Sequence, residues 1–212
     1  MKEGDAYRLR WFAPGGKVDL CGHATLATAW TLLRFYEPEA TEVRFNTLSG
    51  RLTVTRDGKR LSMDFPAYAL RQVPVTAAME EALGAPVLEA WMGRDFVCVM
   101  ESAEAVRALA PDLAKIARLD GLLVHPTARG DRGYDCVSRS FGPRCGIPED
   151  PVCGSGHCHV FPYWARVLGK NTLTGWQASK RGGEVRGVLR GDRVTLSGEA
   201  ALFAESTLSV DA

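Results

Sequence analysis

Two copies of one short pattern, one in each half of the 212-residue chain, constrain its fold more than any other feature of the sequence. The segment Arg10-Trp11-Phe12-Ala13-Pro14 is matched by Arg139-Ser140-Phe141-Gly142-Pro143. Each copy continues through a loop into a Cys-Gly pair, Cys21-Gly22 or Cys153-Gly154, and then into a largely apolar helical pattern. A duplication of this kind predicts two similar units. A pseudo-twofold relation between them would bring both Cys-Gly helix starts to one cleft.

The residues that follow each Cys-Gly pair predict strands around a central helix. The first helix pattern, from Gly22 to Phe35, has almost no polar face, and such a helix belongs in the middle of a domain. In the second pattern, Pro162 should remove a hydrogen bond, so we expect the useful helix to end at Phe161. Strands are predicted at Tyr7 to Phe12, Glu42 to Asn46, Arg51 to Arg56, Arg60 to Phe65, Gly121 to His125, Tyr134 to Arg139, Trp176 to Ser179, Val185 to Leu189 and Val194 to Ser197, and shorter helices at Thr76 to Leu83 and Ala103 to Leu109.

Composition and charge exclude several classes of function. Hydrophobic residues make up 46% of the chain and charged residues 24%, as in ordinary globular proteins. The net charge of +1 gives no field that would concentrate nucleic acid or anionic lipid. The longest apolar stretch, Ala24 to Leu33, contains three threonines and is too short to cross a bilayer. We therefore expect a small-molecule partner and neither nucleic acid nor a membrane.

The six cysteines are interpreted as thiols of a cytoplasmic protein. Nothing at the start of the chain has the pattern of a signal peptide, so a disulfide framework is not expected. Three cysteines follow no common spacing and are expected to be small hydrophobes or loop residues: Cys98, Cys136 and Cys145. The other three include the two at the helix starts, Cys21 and Cys153, where a thiol is a candidate for chemistry.

The motifs predict neither a cofactor nor a metal. The sequence contains no GxGxxG or Walker nucleotide loop and no Ser-centred GxSxG elbow. The run Cys153, His157, Cys158 and His159 has the residue types of a zinc site. However, four ligands that close together on one helix cannot surround a tetrahedral ion without help.

The two helix starts suit proton transfer beside a carboxylate. The first helical turn offers unpaired N–H groups and the positive end of the helix dipole, which bind a carboxylate, and Gly22 and Gly154 let the backbone approach closely. The same dipole should favour the thiolates of Cys21 and Cys153 as proton acceptors. Removing a proton next to a carboxylate builds negative charge on its oxygens, which two helix starts would stabilise.

Two motifs resemble those of the PhzF-like (phenazine-biosynthesis-like) family of the diaminopimelate-epimerase superfamily. They are Asp19-Leu20-Cys21-Gly22-His23-Ala24-Thr25 and Glu149-Asp150-Pro151-Val152-Cys153-Gly154-Ser155-Gly156-His157. Supporting similarity runs through Met63 to Ala67, Val137 to Phe141 and Gln177 to Gly183, so it covers nearly the whole chain. The resemblance implies an α+β fold of two pseudo-symmetric domains, each a curled, mostly antiparallel sheet around a central helix, with the active site between them.

The resemblance also implies boundaries, an assembly and site residues. We expect an N-terminal domain at 1–68 completed by 204–212, a C-terminal domain at 69–203, and a homodimer. In the family pattern a glutamate shuttles the proton, assisted by residues that match His23, Asp150 and Ser155 here. Gly22, which matches a residue that lines the family's site, is expected to bind substrate together with Gly154 and Gly156.

Two departures from the family pattern leave alternatives open. The family's N-terminal strand and the Asn-Leu-Ser-Glu stretch that carries the glutamate have no counterpart, which suggests a truncated product and allows a catalytically inactive binding or assembly domain. Cys153 stands where threonine is usual, and with Cys21 it restores the two-thiol arrangement of diaminopimelate epimerases and proline racemases. The leading hypothesis is a cofactor-independent isomerase that moves a proton on a small carboxylate-bearing metabolite. The alternative enzyme is a two-cysteine amino-acid racemase or epimerase.

Overall fold

A computed structural model of the chain describes residues 2–207 and contains two stretches in which strands precede a long helix and further strands follow it. The strands are β1 (Lys2–Glu3), β2 (Ala6–Arg8), β3 (Trp11–Ala13), β4 (Gly16–Val18), β5 (Glu42–Thr47), β6 (Gly50–Asp57), β7 (Arg60–Pro66), β8 (Arg71–Val73), β9 (Glu89–Met92), β10 (Phe96–Val99), β11 (Val124–Arg129), β12 (Cys136–Ser138), β13 (Thr172–Gln177), β14 (Gly183–Arg190) and β15 (Arg193–Glu199). The α-helices are α1 (Gly22–Thr31), α2 (Ala77–Leu83), α3 (Ala103–Ala108), α4 (Leu113–Ile116) and α5 (Gly154–Leu168). A π-helical turn at Leu32–Tyr36 continues α1, and a 3-10 turn at Pro143–Cys145 precedes α5.

One sheet of 13 strands contains the repeat, with β7 and β15 paired antiparallel near its middle. Its order is β1-β2-β5-β6-β7-β15-β14-β13-β12-β11-β10-β9-β8, while β3 and β4 form a separate hairpin. In the first unit, β2 precedes α1 and pairs in parallel with β5, and β5, β6 and β7 are antiparallel. In the second unit, β12 precedes α5 and pairs in parallel with β13, followed by antiparallel β14 and β15. The internal duplication predicted from the sequence is therefore confirmed.

The two units form the expected α+β fold, with α1 and α5 as corresponding helices. The predicted boundary at residue 68 falls just after β7, and β8 to β12 extend the second unit's side of the sheet. Residues 201–207 form neither helix nor strand, and residues 208–212, also expected to complete the first domain, lie outside the described residues. Among the residues described, no helix has both the length and the apolar character needed to cross a membrane.

The two central helices differ in how deeply they are buried. Every residue from Ser155 to Phe161 in α5 is buried, and Phe161 packs so closely on the sheet that a Cβ at Gly187 would lie 2.4 Å from its ring. In α1 one face is exposed, including Ala27 and Thr31, contrary to the expectation of a helix buried all round. Alanine has little apolar area, so its exposure costs little free energy.

Some predicted strands were wrong in extent, and others were missed. The strand expected at Tyr7 to Phe12 divides into β2 and β3, because Leu9 still donates to Asn46 in the large sheet whereas Trp11 joins the hairpin with β4. The strand expected at Gly121 to His125 begins only at Val124 and continues to Arg129. The entirely buried strand β10 was not predicted, because a short apolar run has no alternation to identify it.

Pro162 does not end its helix, as the sequence had led us to expect. Helix α5 continues to Leu168 with Pro162 inside it. Proline has no N–H to give to the carbonyl four residues earlier, at Cys158, and the backbone N–H of Tyr68 donates to that carbonyl instead, at 2.9 Å. A remote segment thus satisfies the group that the proline leaves unpaired.

We predict that Phe161→Ala lowers the free energy of unfolding by about 3–5 kcal/mol, because it leaves a cavity between α5 and the sheet. Phe161 is fully buried, whereas Phe203 is fully exposed and provides a matched control. Phe203→Ala should change the stability by less than about 0.5 kcal/mol. Denaturant titration measures both, and equal stabilities of the two variants would contradict the packing described.

Candidate functional site

The first residues of α1 and α5 touch backbone to backbone. A Cβ added at Gly22 would lie 2.9 Å from the Cα of Gly154, and one added at Gly154 would lie 2.9 Å from the Cα of Gly22. The preceding loops also meet, since the N–H of Gly15 donates to the carbonyl of Cys145 at 3.0 Å. The expected convergence of the two helix starts is present, and only glycine fits at either position.

The two cysteines cap these helices in different ways. Cys153 is buried, and its Sγ accepts a hydrogen bond from the N–H of Gly156 at 3.3 Å, as a serine at an N-cap would. Cys21 is half-buried and makes no such bond. The Cys21 thiol is therefore the more accessible of the two.

A cavity of about 410 Å³ lies against the two helix starts. Seven of the eight predicted site residues line it: Cys21, Gly22, His23, Asp150, Cys153, Gly154 and Ser155. Its other walls are mostly apolar, and Phe12 and Arg10 contribute to them. Gly156 is not among the lining residues. It packs against the ring of His125, whose Cε1 would lie 2.9 Å from an added Cβ.

A second cavity, of about 460 Å³, adjoins the Gly22 and Gly154 contact. His23 and Asp150 line both cavities, and Arg181 lines the second. His23 and Asp150 can therefore contact a molecule bound in either cavity.

His23 and Cys21 form a close pair at the start of α1. The Cys21 Sγ lies 3.6 Å from Nε2 and 3.9 Å from Nδ1 of His23. The sulfur raises the pKa of His23 above its ordinary value; burial opposes this change, Asp150 adds to it and Arg181 reduces it. The protonated imidazole is thus favoured next to the sulfur, which suits a pair that exchanges a proton.

The loop from Asp150 to Cys153 is held by Gln177, which the sequence had not identified as a functional residue. The side chain of Gln177 is fully buried; its Oε1 accepts from the N–H of Cys153 at 2.7 Å, and its Nε2 donates to the carbonyl of Asp150 at 2.5 Å. The Asp150 carboxylate accepts from the N–H of Val152 at 3.0 Å. Asp150 is therefore a cap of this turn as well as a residue of the cavity wall.

The expectation that the helix dipole would favour the Cys153 thiolate was wrong. Burial raises the pKa of the Cys153 thiol well above its ordinary value, and Asp150 adds to this effect. Its Sγ lies 3.4 Å from the Ser155 hydroxyl. This contact and the hydrogen bond from the Gly156 N–H lower the thiol pKa, but by less than burial raises it. The thiol at this helix start is neutral.

His125, which the sequence gave no reason to single out, lies in a buried hydrogen-bond network behind the site. Its Nε2 lies 3.2 Å from Asp95 Oδ2 and its Nδ1 3.0 Å from the Ser140 hydroxyl. His159 donates from Nδ1 to the carbonyl of Ser155 at 2.9 Å and accepts at Nε2 from the N–H of Asp95. Asp95, His125 and His159 offer ligand atoms within 4.8 Å of one another, but their imidazole nitrogens are already engaged in these hydrogen bonds. The cluster is therefore interpreted as structural.

Two histidines of α5 are buried as neutral rings. Burial lowers the pKa of His157 to about 4 and that of His159 to about 3. His157 donates from Nδ1 to the carbonyl of Cys153 at 2.8 Å. Among the described residues, His157 and His159 do not come together with Cys153 and Cys158 as possible ligands of one ion.

We predict that Gly22→Ala and Gly154→Ala each lower the free energy of unfolding by about 1–3 kcal/mol, because the new methyl group overlaps the facing backbone. Gly198→Ala is the control, since its Cβ would meet only a Leu26 methyl carbon at 3.2 Å. A side-chain methyl can shift where a backbone cannot. Thermal or denaturant unfolding compares the three variants, and a Gly198→Ala loss as large as the other two would contradict the close contact.

Comparison with known proteins identifies a family for the chain. The family described as phenazine biosynthesis-like protein (PhzC-PhzF) matches residues 1–206. An uncharacterized isomerase of Pseudomonas aeruginosa is 46% identical over 98% of the chain and 80% of its own length. A PhzF-family crystal structure from Enterococcus faecalis superposes with a TM-score of 0.88 at 43% identity, covering 96% of the chain and 78% of that structure.

A more distant likeness concerns the fold alone. The hydroxyproline epimerase of Agrobacterium vitis, solved with bound trans-4-hydroxy-L-proline, has a TM-score of 0.62 at 14% identity. It covers 94% of the chain, which in turn covers 69% of that structure. The two-unit architecture is thus common to the PhzF family and to an epimerase.

Proposed function

The chain belongs to the phenazine biosynthesis-like family, and we propose that it is a cofactor-independent isomerase that moves a proton on a small carboxylate-bearing metabolite. The observation that carries the proposal is the convergence of two helix starts, with Cys21, His23, Asp150 and Ser155 on one cavity wall. Relatives named as isomerases support the reaction class.

The substrate carboxylate would bind between the helix starts. Unpaired N–H groups of two first turns and the positive ends of two dipoles stabilise an anion there more strongly as negative charge builds up on it. Cationic side chains at the rim of the cavity also favour an anionic substrate. Arg10 and Lys17 lie 5.8 and 6.0 Å from the centre of the exposed Phe12 ring, which lines the cavity. Cations at an entrance raise the local concentration of anionic substrates.

The Cys21 and His23 pair would carry the proton. His23 takes the proton of the Cys21 thiol, the C–H bond next to the carboxylate breaks, and its electron pair moves into an enolate-like system on the carboxylate oxygens. The substrate proton goes to the Cys21 sulfur. Returning the proton to a different carbon isomerises the substrate and restores the pair. Asp150 and Ser155 would orient the substrate, and the neutral Cys153 thiol has a proton to donate but is a poor acceptor.

The two-cysteine racemase or epimerase is a second candidate, because Cys21 and Cys153 begin facing helices and line one cavity. In that mechanism each thiol takes a proton in one direction and donates it in the other. The raised pKa of Cys153 favours the single-pair isomerase, since a buried neutral thiol is a weak base.

We predict that the protein incorporates solvent deuterium in at least one compound from a panel of amino and hydroxy acids, either next to the carboxylate or at the carbon that receives the proton, as followed by NMR in D2O. His23→Gln should slow the exchange about 10²–10⁴-fold, because it removes the group that carries the proton. Lys180→Gln, an exposed substitution outside both cavities, should leave the rate unchanged. Absence of exchange in every compound would refute the proposed reaction.

The two cysteine-to-serine variants distinguish the candidates. For the isomerase, we expect Cys21→Ser to reduce exchange by about 10²-fold or more, because serine is a poor proton acceptor. Cys153→Ser should retain most of the rate, because serine caps a helix start well. Loss of racemisation in both variants, with a D-amino acid formed by the unmodified protein, would favour the two-cysteine enzyme instead.

A further inference from the structure

The guanidinium of Arg94 binds both units of the chain. Arg94 lies between β9 and β10, lines the first cavity, and has a side chain that is 16% exposed. Its Nη1 donates to Asp19 Oδ1 at 2.6 Å, and its Nε and Nη2 donate to the two carboxylate oxygens of Asp95 at 3.0 and 2.6 Å. Asp19 belongs to the first unit, two residues before Cys21, and Asp95 to the second. A single side chain thus connects the two units next to the site.

On the side of the first unit, Asp19 is held at two points. Its carboxylate accepts from Arg94, and its carbonyl accepts from the Ser49 hydroxyl at 2.7 Å. The chain then reaches Cys21, whose sulfur lies beside His23. The position of Asp19 therefore sets where the Cys21 loop begins.

On the side of the second unit, the fully buried Asp95 carries the connection to α5. Its N–H donates to His159, which in turn donates to the carbonyl of Ser155. Burial alone would raise the pKa of the Asp95 carboxyl, but hydrogen bonds from His125 and Arg94 hold it well below its ordinary value. Asp95 thus remains a carboxylate, and Arg94 compensates its charge.

A parallel connection from Asp95 leads to Asp150. His125 joins Asp95 to the hydroxyl of Ser140, and the carbonyl of Ser140 accepts from the N–H of Asp150 at 2.9 Å. Both residues expected to orient the substrate, Asp150 and Ser155, are therefore linked to Arg94 through buried hydrogen bonds.

We propose that Arg94 is a positioning residue that fixes the Cys21 and His23 pair relative to Ser155 and Asp150 across the cavity. This role rests on the proposed function and adds the group that aligns its two sides. Arg94 is an unsuitable anion receptor, because three of its five N–H groups and its charge are committed to Asp19 and Asp95. A planar guanidinium can bind two carboxylates at fixed angles, which the single ammonium of lysine cannot.

Asp19→Ala is the informative change, because it cuts the link to the first unit and keeps Asp95 paired. Removal of Arg94 itself would leave a buried carboxylate unpaired and could prevent folding. Asp64→Ala is the matched control: Asp64 is paired with Arg193 at 2.9 Å and is 42% exposed, against 40% for Asp19. The two variants should have similar melting temperatures.

The readout is the NMR titration of the His23 ring, which needs no substrate. Cys21, Asp150 and Arg181 are the groups that act on His23, and Asp19 is not among them. If Arg94 and Asp19 position Cys21, Asp19→Ala should shift the His23 pKa down towards its ordinary value, because the sulfur moves away. Asp64→Ala should leave it raised. Asp19→Asn keeps an acceptor oxygen in the same place and should restore the raised value.

The kinetic consequence is a loss of kcat in deuterium exchange of up to about 100-fold for Asp19→Ala, with little change in KM, since misalignment affects the transferred proton more than carboxylate binding. An unchanged His23 titration in Asp19→Ala would overturn the positioning role. If the unmodified protein exchanges no deuterium but Asp19→Ala still shifts His23, the alignment is correct and the proposed reaction is wrong.

Discussion

The backbone contact between Gly22 and Gly154 is the constraint on which the rest of the site depends. It brings two helix N-termini together, and both carry partial positive charge, so the arrangement repels itself unless negative charge lies nearby. Asp150 supplies one such charge, and a substrate carboxylate would supply another. The positive ends of the two helices therefore favour an anion at this position before any substrate binds.

The surroundings of the two helix starts are unequal although the fold is duplicated. Cys21 is accessible and lies beside His23, whereas Cys153 is buried, caps its helix and has a raised pKa. Gln177 fixes the second loop through two short hydrogen bonds. The duplicated fold thus has one helix start with a half-buried thiol beside an imidazole and one with a buried, hydrogen-bonded thiol. This asymmetry favours the proposed isomerase over a symmetric exchange of protons between two thiols.

Local patterns in the sequence predicted the duplication and the two helix starts, whereas the family resemblance implied the α+β fold of two domains. The Cys-Gly pairs and the strand series that follow them lie in continuous segments, where spacing carries the information. Pro162 was misjudged because its partner, Tyr68, is remote in sequence. His125 was not singled out because its partners, Asp95 and Ser140, are also distant along the chain. Burial likewise outweighed the helix dipole at Cys153, and burial depends on the whole fold.

The neutral histidines of α5 limit how far the pH can fall before the folded protein loses stability. In an unfolded chain both rings would take up protons below pH about 6.5, whereas in the folded chain His157 and His159 do so only near pH 4 and 3. Between those values the unfolded state binds more protons, so acidification steadily favours unfolding. His159 also holds the carbonyl of Ser155. Protonation of His159 would disturb its hydrogen bonds to Ser155 and Asp95. Low pH should therefore destabilise the site and the buried core together.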